Sequence, residues 1–136
     1  MIKSVDEFLR LRTSEIKEDY DRAVNDEAEI STWIEVIEKH PDYKQWVVHN
    51  KTVPIKILEM LTFDEDPAVR GAVAKKRKIN DKIFMALSKD RDENVRYALM
   101  CNTKLTSEQL KQITIGDSEW LSKQLKERLE IIRNNA

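Results

Sequence analysis

One stretch of the sequence occurs twice in succession: DPAVRGAVAKKRKINDKIFMALSKDR (residues 66–91) is followed directly by DENVRYALMCNTKLTSEQLKQITIGD (residues 92–117). The two copies align without a gap and start at residues 66 and 92, 26 positions apart. A fixed period of this order is typical of stacked helical repeats. The same frame also covers HPDYKQWVVHNKTVPIKILEMLTFDE (residues 40–65). The sequence therefore predicts three consecutive repeats, 40–65, 66–91 and 92–117.

Helix start and stop signals recur inside each predicted repeat. Asp66 before Pro67 is an N-cap followed by proline at the first helical position, where the missing N–H is not needed. Thr106 and Gln109 have the spacing of a capping box. First helices are predicted to end near Asn50, Lys76 and Asn102, and second helices to begin near Val53, Asn80 and Thr106. Each repeat is therefore predicted to be a hairpin of two short helices.

Apolar residues recur at five positions of the frame, which predicts a continuous core. They are Tyr43, Val69, Val95 and Leu121; Val47, Val73 and Leu99; Val53, Ile79 and Leu105; Leu58, Phe84 and Leu110; and Leu61, Leu87 and Ile113. Burial of one such side chain contributes about 1.5–3 kcal/mol before conformational entropy is subtracted. No single repeat is expected to be stable alone, so the repeats are expected to fold together.

The two ends of the chain are predicted to form helical caps. Residues 1–39 fit the frame poorly and are predicted to contain three helices, of which Ser4 and Ser14 cap the first two. Pro41 is expected to end the third, because it has no backbone N–H to donate. Residues 118–136 continue as one longer amphipathic helix, the predicted C-terminal cap.

Composition favours an all-α fold for a single domain, 1–136. Charged residues make up 36% of the chain, and only two Gly and three Pro are present, a balance typical of helical proteins. A lone cysteine, Cys101, excludes an internal disulfide and cannot form a cysteine-based metal site by itself, so neither a metal nor another cofactor is expected. The start of the chain mixes charged with apolar residues. No secretory signal and no membrane span is therefore expected, and a cytoplasmic location is predicted.

The stretch VVHNKTVPIKILEMLTFDEDPAVR (residues 47–70), together with DPAVRGAVAKK and DENVRYALMCN, resembles the variant leucine-rich repeat (LRV), a relative of HEAT-like helical repeats. The matching residues are Asn50, Pro54, Leu58, Leu61, Asp64, Asp66, Val69 and Arg70. The resemblance implies a right-handed α-solenoid of short helical hairpins and no shared chemistry. The cluster-binding cysteines that accompany this repeat in some relatives are absent. The middle copy departs from the pattern, with Lys76 at the Asn position and Asn80 at the Pro position.

Charge is distributed unevenly along the chain. Up to residue 66 there are nine Lys and Arg against sixteen Asp and Glu, whereas residues 67–136 contain fifteen against nine. A field of this kind steers charged partners more than it stabilises a fold. The expected contact for a basic partner is an acidic face on the second predicted helix: Glu15, Glu18, Asp19 and Asp21.

Basic residues cluster in the turn of the middle repeat. They are Lys75, Lys76, Arg77 and Lys78, with Lys82 and Lys104 expected nearby. Such a run can follow a phosphate backbone, which makes nucleic-acid binding an alternative function. The pI of about 6.2 and the lack of aromatic residues among the basic ones make it the second choice.

Four apolar residues stand at frame positions that are polar or glycine in other repeats: Ile55, Phe63, Met85 and Tyr97. Such positions are expected to face solvent, and exposed aromatic residues and Met are enriched at protein interfaces. Phe63, Met85 and Tyr97 are therefore predicted to contact a partner protein. Trp46 shares a frame position with two alanines and is expected to fill core space instead.

Arg70 and Arg96 occupy one frame position, and each follows an acidic turn. Arg can bind a phosphate or carboxylate through two parallel hydrogen bonds, so an external anion site is one interpretation. An intramolecular ladder of Arg and Asp between neighbouring repeats is the favoured one, because half-buried charges usually pair within the protein.

No pattern of catalytic residues is present, and an enzyme is not expected. His40 coincides with a predicted helix cap, His49 lies in an exposed phase, and neither is paired with a nucleophile. The predicted function is a non-catalytic protein-binding module, such as an inhibitor or immunity protein that neutralises a basic partner, for example a toxin nuclease. The alternatives are a nucleic-acid-binding HEAT-like solenoid and a scaffold or regulatory subunit.

Overall fold

The computed structural model describes residues 1–135, and these residues form helices and no β-strand, which confirms the all-α prediction. The chain divides into two compact units, Met1–Leu61 and Thr62–Ala136. The boundary lies inside the first predicted repeat, 40–65. Ala136, the last residue of the predicted cap 118–136, lies outside the described residues.

The first unit contains α1 (Val5–Thr13), α2 (Lys17–Asn25), α3 (Ile30–Lys39), a 3-10 turn (Pro41–Tyr43), α4 (Lys44–His49) and α5 (Ile55–Leu61). Helix α1 begins as predicted, because the Ser4 hydroxyl accepts a hydrogen bond from the Glu7 amide at 3.0 Å. Its Phe8 packs edge-to-face on Trp33 of α3 with ring centroids 5.1 Å apart, and both rings are buried. This aromatic contact is part of the unit's core.

Two expectations for the first unit are wrong. Ser14 does not cap α2: its hydroxyl accepts from the Ile16 amide and donates to Asp19, so the helix starts only at Lys17. Trp46 does not fill the core but is 39% exposed, because the Arg12 guanidinium stacks 3.3 Å from the centre of its ring. A cation on an aromatic face stabilises that ring at the surface.

A buried asparagine ends α4 and ties it to α2. The side-chain amide of Asn50 donates to the carbonyl oxygens of Ala23 and Asp26 at 2.8 and 2.9 Å. Its carbonyl oxygen accepts from the Thr52 backbone amide and hydroxyl. Asn50 therefore ends the helix as predicted, and it also satisfies two carbonyls of another helix terminus.

The second unit contains α6 (Pro67–Ala74), α7 (Asp81–Leu87), α8 (Glu93–Met100), α9 (Ser107–Gln112) and α10 (Glu119–Asn134). Helix α8 packs between α6 and α10, while α7 contacts α6 and α8, and α9 contacts α10. The caps predicted at Asp66 and Thr106 are confirmed, and Asn80 and Asp92 are N-caps as well; each of the four side chains accepts a hydrogen bond from the first turn of its helix. The capping box of Thr106 and Gln109 is complete.

Asn102 in the second unit makes the same type of bonds as Asn50 in the first. Its side-chain amide donates to the carbonyl oxygens of Ala74 and Lys76 at 2.9 and 2.8 Å, and its own oxygen accepts from the Lys104 amide. The turn after α8 is thereby held against the turn after α6.

The predicted core rows are confirmed with two exceptions. All sixteen side chains except Tyr43 and Ile79 are buried, and those two are half-buried. The apolar phase of the sequence therefore identifies the interior of each unit correctly.

The predicted Arg–Asp ladder is correct for Arg70 and wrong for Arg96. Arg70 is buried and pairs with Asp90 at 2.8 Å. The Arg96 side chain makes no hydrogen bond or ion pair with residues 1–135, and its Nε is buried without a partner. The physical reason lies in the sequence: the position equivalent to Asp90, 26 residues on, is Gly116, which has no carboxylate.

Candidate functional site

The predicted acidic face in the first unit is partly neutralised by local ion pairs. Glu15 and Glu18 are exposed, whereas Asp19 and Asp21 are half-buried. Asp21 accepts a hydrogen bond from Lys17 at 2.9 Å, and this bond raises the pKa of Lys17 above its ordinary value. Asp19 accepts from the Ser14 hydroxyl. Glu15 and Glu18 are the members of this face that remain available for an outside cation.

The basic residues of the second unit lie in two turns that the structure brings together. Lys75, Arg77, Lys78, Lys82 and Lys104 are exposed, and Lys76 is half-buried. The Asn102 side chain bridges the turns, because it donates to the Lys76 carbonyl and accepts from the Lys104 amide. The backbone at Lys104 therefore lies near the backbone at Lys76, and the grouping of the six basic side chains stays a prediction.

The predicted apolar contacts differ in exposure. Phe63 and Met85 are well exposed, but Tyr97 is half-buried. Tyr97 of α8 is covered by Trp120 of α10, with ring centroids 4.7 Å apart and planes tilted by 43°. Trp120 is itself 40% exposed, so the pair presents an aromatic surface to solvent. Trp120 is not among the predicted contacts, although its position next to the core residue Leu121 indicates that it points away from the core.

A second contact joins α10 to the end of α8. The Arg128 guanidinium lies 3.4 Å from the Cys101 sulfur. Tyr97 and Cys101 are four residues apart, and Trp120 and Arg128 are eight apart, so each pair shares one face of its helix. These four residues, here called the α8–α10 surface, combine a partly exposed aromatic pair, a thiol and a cation. Nothing in the repeat frame predicted this pairing, because α10 continues beyond the frame.

An open cavity of about 490 Å³ adjoins Cys101 and Arg128. Its apolar walls are formed by Met100, Leu105, Leu110, Ile131 and Ile132. Volumes of this order are typical of small-ligand sites. The second unit thus has two adjoining surfaces of different character, an aromatic pair and an apolar cavity with one cation.

Comparison of the chain with known protein families, with curated proteins and with solved structures finds no match. Within residues 1–135, no three His, Cys, Asp or Glu side chains lie close enough together to hold a metal ion. No helix in that part of the chain has both the length and the apolar character that crossing a membrane requires.

Proposed function

We propose that this chain is a non-catalytic protein-binding module built as a right-handed α-solenoid, and that it binds its partner through the aromatic part of the α8–α10 surface. The packing of α8 between α6 and α10 supports the solenoid, because first helices of successive repeats are neighbours in such a fold. The observation that carries the proposed function is the stack of Tyr97 on Trp120.

A large side chain that is already held in place makes an efficient interface anchor. Trp120 is 40% exposed, yet its ring is supported by Tyr97 at 4.7 Å. Trp and Tyr dominate the binding energy of many interfaces because they bury large areas. A supported ring also loses less conformational entropy on binding than a free one. Phe63 and Met85 offer further exposed apolar area on the same unit.

The first unit supplies a separate contact in this proposal. Glu15 and Glu18 attract a basic partner, since they are exposed and the half of the chain that contains them carries an excess of carboxylates. A small module of this kind is suited to an inhibitor or immunity role, in which it neutralises a basic protein such as a toxin nuclease, and to a cytoplasmic location.

The test is capture of partners from the native host, followed by titration of the purified partner. Trp120→Ala is expected to weaken binding about 30-fold or more, the effect of losing one central aromatic anchor. Trp46→Ala is the matched control, because Trp46 is 39% exposed but stacks on Arg12 in the first unit. Equal losses from both variants, with folding intact by circular dichroism, would contradict this assignment. Recovery of no protein partner would contradict the proposed function itself.

A second candidate function, nucleic-acid binding, is favoured by one observation: Asn102 holds the Lys104 turn against the Lys76 turn. This arrangement concentrates exposed cations of two turns in one region. A phosphate-driven complex must weaken steeply with salt, because counterions are released on binding. Titration of labelled duplex and single-stranded oligonucleotides at 50 and 200 mM salt separates the two candidates. A complex with six phosphate contacts is expected to lose about 10³-fold or more in affinity between these two salt concentrations. The triple variant Lys75→Glu, Arg77→Glu, Lys78→Glu would abolish this binding and leave protein binding in place.

A further inference from the structure

The cavity beside the α8–α10 surface lies between the turn after α8 and the last turns of α10. Met100, Leu105 and Leu110 are buried members of its wall. Ile131 and Ile132 line it from α10 and remain exposed to solvent. An apolar ligand in this space would remove both isoleucines from water, which is the main source of affinity for such a site.

The charged and polar residues that line the cavity include a cation and no carboxylate among residues 1–135. Arg128 is the only charged side chain in contact with the cavity among residues 1–135, and no Asp or Glu lines it. Three further polar side chains without charge, Asn102, Thr103 and Asn135, also line it. Asn102 is not available to a ligand through its amide hydrogens, because both are donated to backbone carbonyls. The cavity therefore offers a ligand a single positive charge.

The Arg128 guanidinium has spare hydrogen-bonding capacity. Its one hydrogen bond within residues 1–135 runs from a terminal nitrogen to the Cys101 sulfur at 3.4 Å, and sulfur is a weak acceptor. No carboxylate of those residues lies within 4.0 Å of it, in contrast to Arg70, which has a bidentate partner. A guanidinium has five N–H donors arranged to fit two oxygens of one carboxylate.

We infer that this cavity is a binding site for a small amphipathic monocarboxylate, with the carboxylate on Arg128 and the apolar tail against Ile131 and Ile132. Within residues 1–135 the lining holds one cation and no anion, which selects a single negative charge, and the apolar walls require an apolar tail. A dicarboxylate would place its second charge against walls in which the described residues, 1–135, offer no second cation. The site is independent of the aromatic pair that the proposed protein binding uses.

The experiment is isothermal titration of the full chain with three probes that separate charge from tail. Decanoate, below its micelle concentration, is expected to bind saturably with one site per chain. Acetate, which lacks the tail, and decyltrimethylammonium, which reverses the charge, are expected to bind at least about tenfold more weakly. Equal binding of decanoate and the cationic probe would overturn the inference, because it would indicate unspecific apolar association.

Variants locate the site. Arg128→Met keeps an aliphatic side chain and removes the charge, and it is expected to weaken the binding of decanoate at least about tenfold. Lys126→Met is the matched control, because Lys126 is an exposed cation on the same helix that does not line the cavity. If Arg128→Met does not fold, Arg128→Lys supplies the second readout: it keeps the charge but loses the bidentate geometry, so partial binding is expected. Unchanged decanoate affinity in a folded Arg128 variant would refute the inference.

Discussion

Arg70 and Asp90 form a buried bidentate ion pair in the second unit. The Nε and one terminal nitrogen of Arg70 donate to the two carboxylate oxygens at 2.8 and 3.1 Å, and the side chains are only 4% and 7% exposed. The other terminal nitrogen donates to the carbonyl oxygens of Asp64 and Glu65. The hydrogen bonds that Arg70 donates to Asp90 raise the pKa of Arg70 above its ordinary value. The resulting stability is fully present below the ordinary guanidinium pKa and is lost as the pH rises from there through the raised pKa of the folded state.

Asp90→Ala is expected to lower the free energy of unfolding by about 3–5 kcal/mol, because it leaves the Arg70 charge buried without its counterion. Urea denaturation monitored by circular dichroism measures the change. Asp21→Ala, which removes the carboxylate of the exposed pair with Lys17, is the control and is expected to have no measurable effect. A loss for Asp90→Ala no larger than for this control would show that the buried pair does not stabilise the fold.

Asn102→Ala is expected to destabilise the protein by about 2–4 kcal/mol, since one buried and one half-buried carbonyl lose their donor, and a buried carbonyl without a donor costs about 1–3 kcal/mol. The carbonyls are those of Ala74 and Lys76. Asn94→Ala is the matched control, because the Asn94 side chain is exposed on α8 and makes no hydrogen bond within residues 1–135. Thermal unfolding of both variants measures the difference. Equal midpoints would contradict the bridging role of Asn102.

The local features of the fold could be predicted from the sequence, because they depend on neighbouring residues. The capping box at Thr106 and Gln109 needs only two side chains three positions apart, and it is found where predicted. The end of a helix near Asn102 is predictable, because asparagine readily adopts the backbone conformation that ends a helix. The hydrogen bonds from the Asn102 side chain to Ala74 and Lys76 are not predictable in this way, because they join residues 28 and 26 positions apart.

The candidate site was harder to predict for the same physical reason. The contact between Cys101 and Arg128 spans 27 residues and depends on how α10 lies against α8. Trp46 was assigned to the core from its frame position alone, and its actual place at the surface results from stacking on Arg12. Contacts between helices determine both the Cys101–Arg128 contact and the position of Trp46. The spacing of residues along the sequence predicts neither of them.

Thr106→Ala is expected to cost about 1 kcal/mol, the usual effect of losing an N-cap side chain. The Thr106 hydroxyl accepts from the Gln109 amide at 3.1 Å, and the Gln109 side chain accepts from the Thr106 amide at 2.9 Å. Chemical denaturation measures the free energy of unfolding of Thr106→Ala and of the control Thr103→Ala. The Thr103 side chain is exposed in the preceding turn and makes no hydrogen bond within the described chain. Thr106→Ser retains the hydroxyl and should restore most of the loss. Failure of serine to restore it would indicate that the cap is not the cause.

Arg96→Met is expected to be neutral or to stabilise the protein by up to about 1 kcal/mol, because it removes a buried donor that lacks a partner and keeps a side chain of similar length. Arg70→Met, at the equivalent frame position, is the matched comparison, and it should destabilise by about 3–5 kcal/mol because it leaves Asp90 buried without a counterion. The two arginines differ in the residue 20 positions on, which is Asp90 for one and Gly116 for the other. Urea unfolding of both variants gives the two free energies. A large loss from Arg96→Met would mean that Arg96 has a stabilising role that its present contacts do not account for.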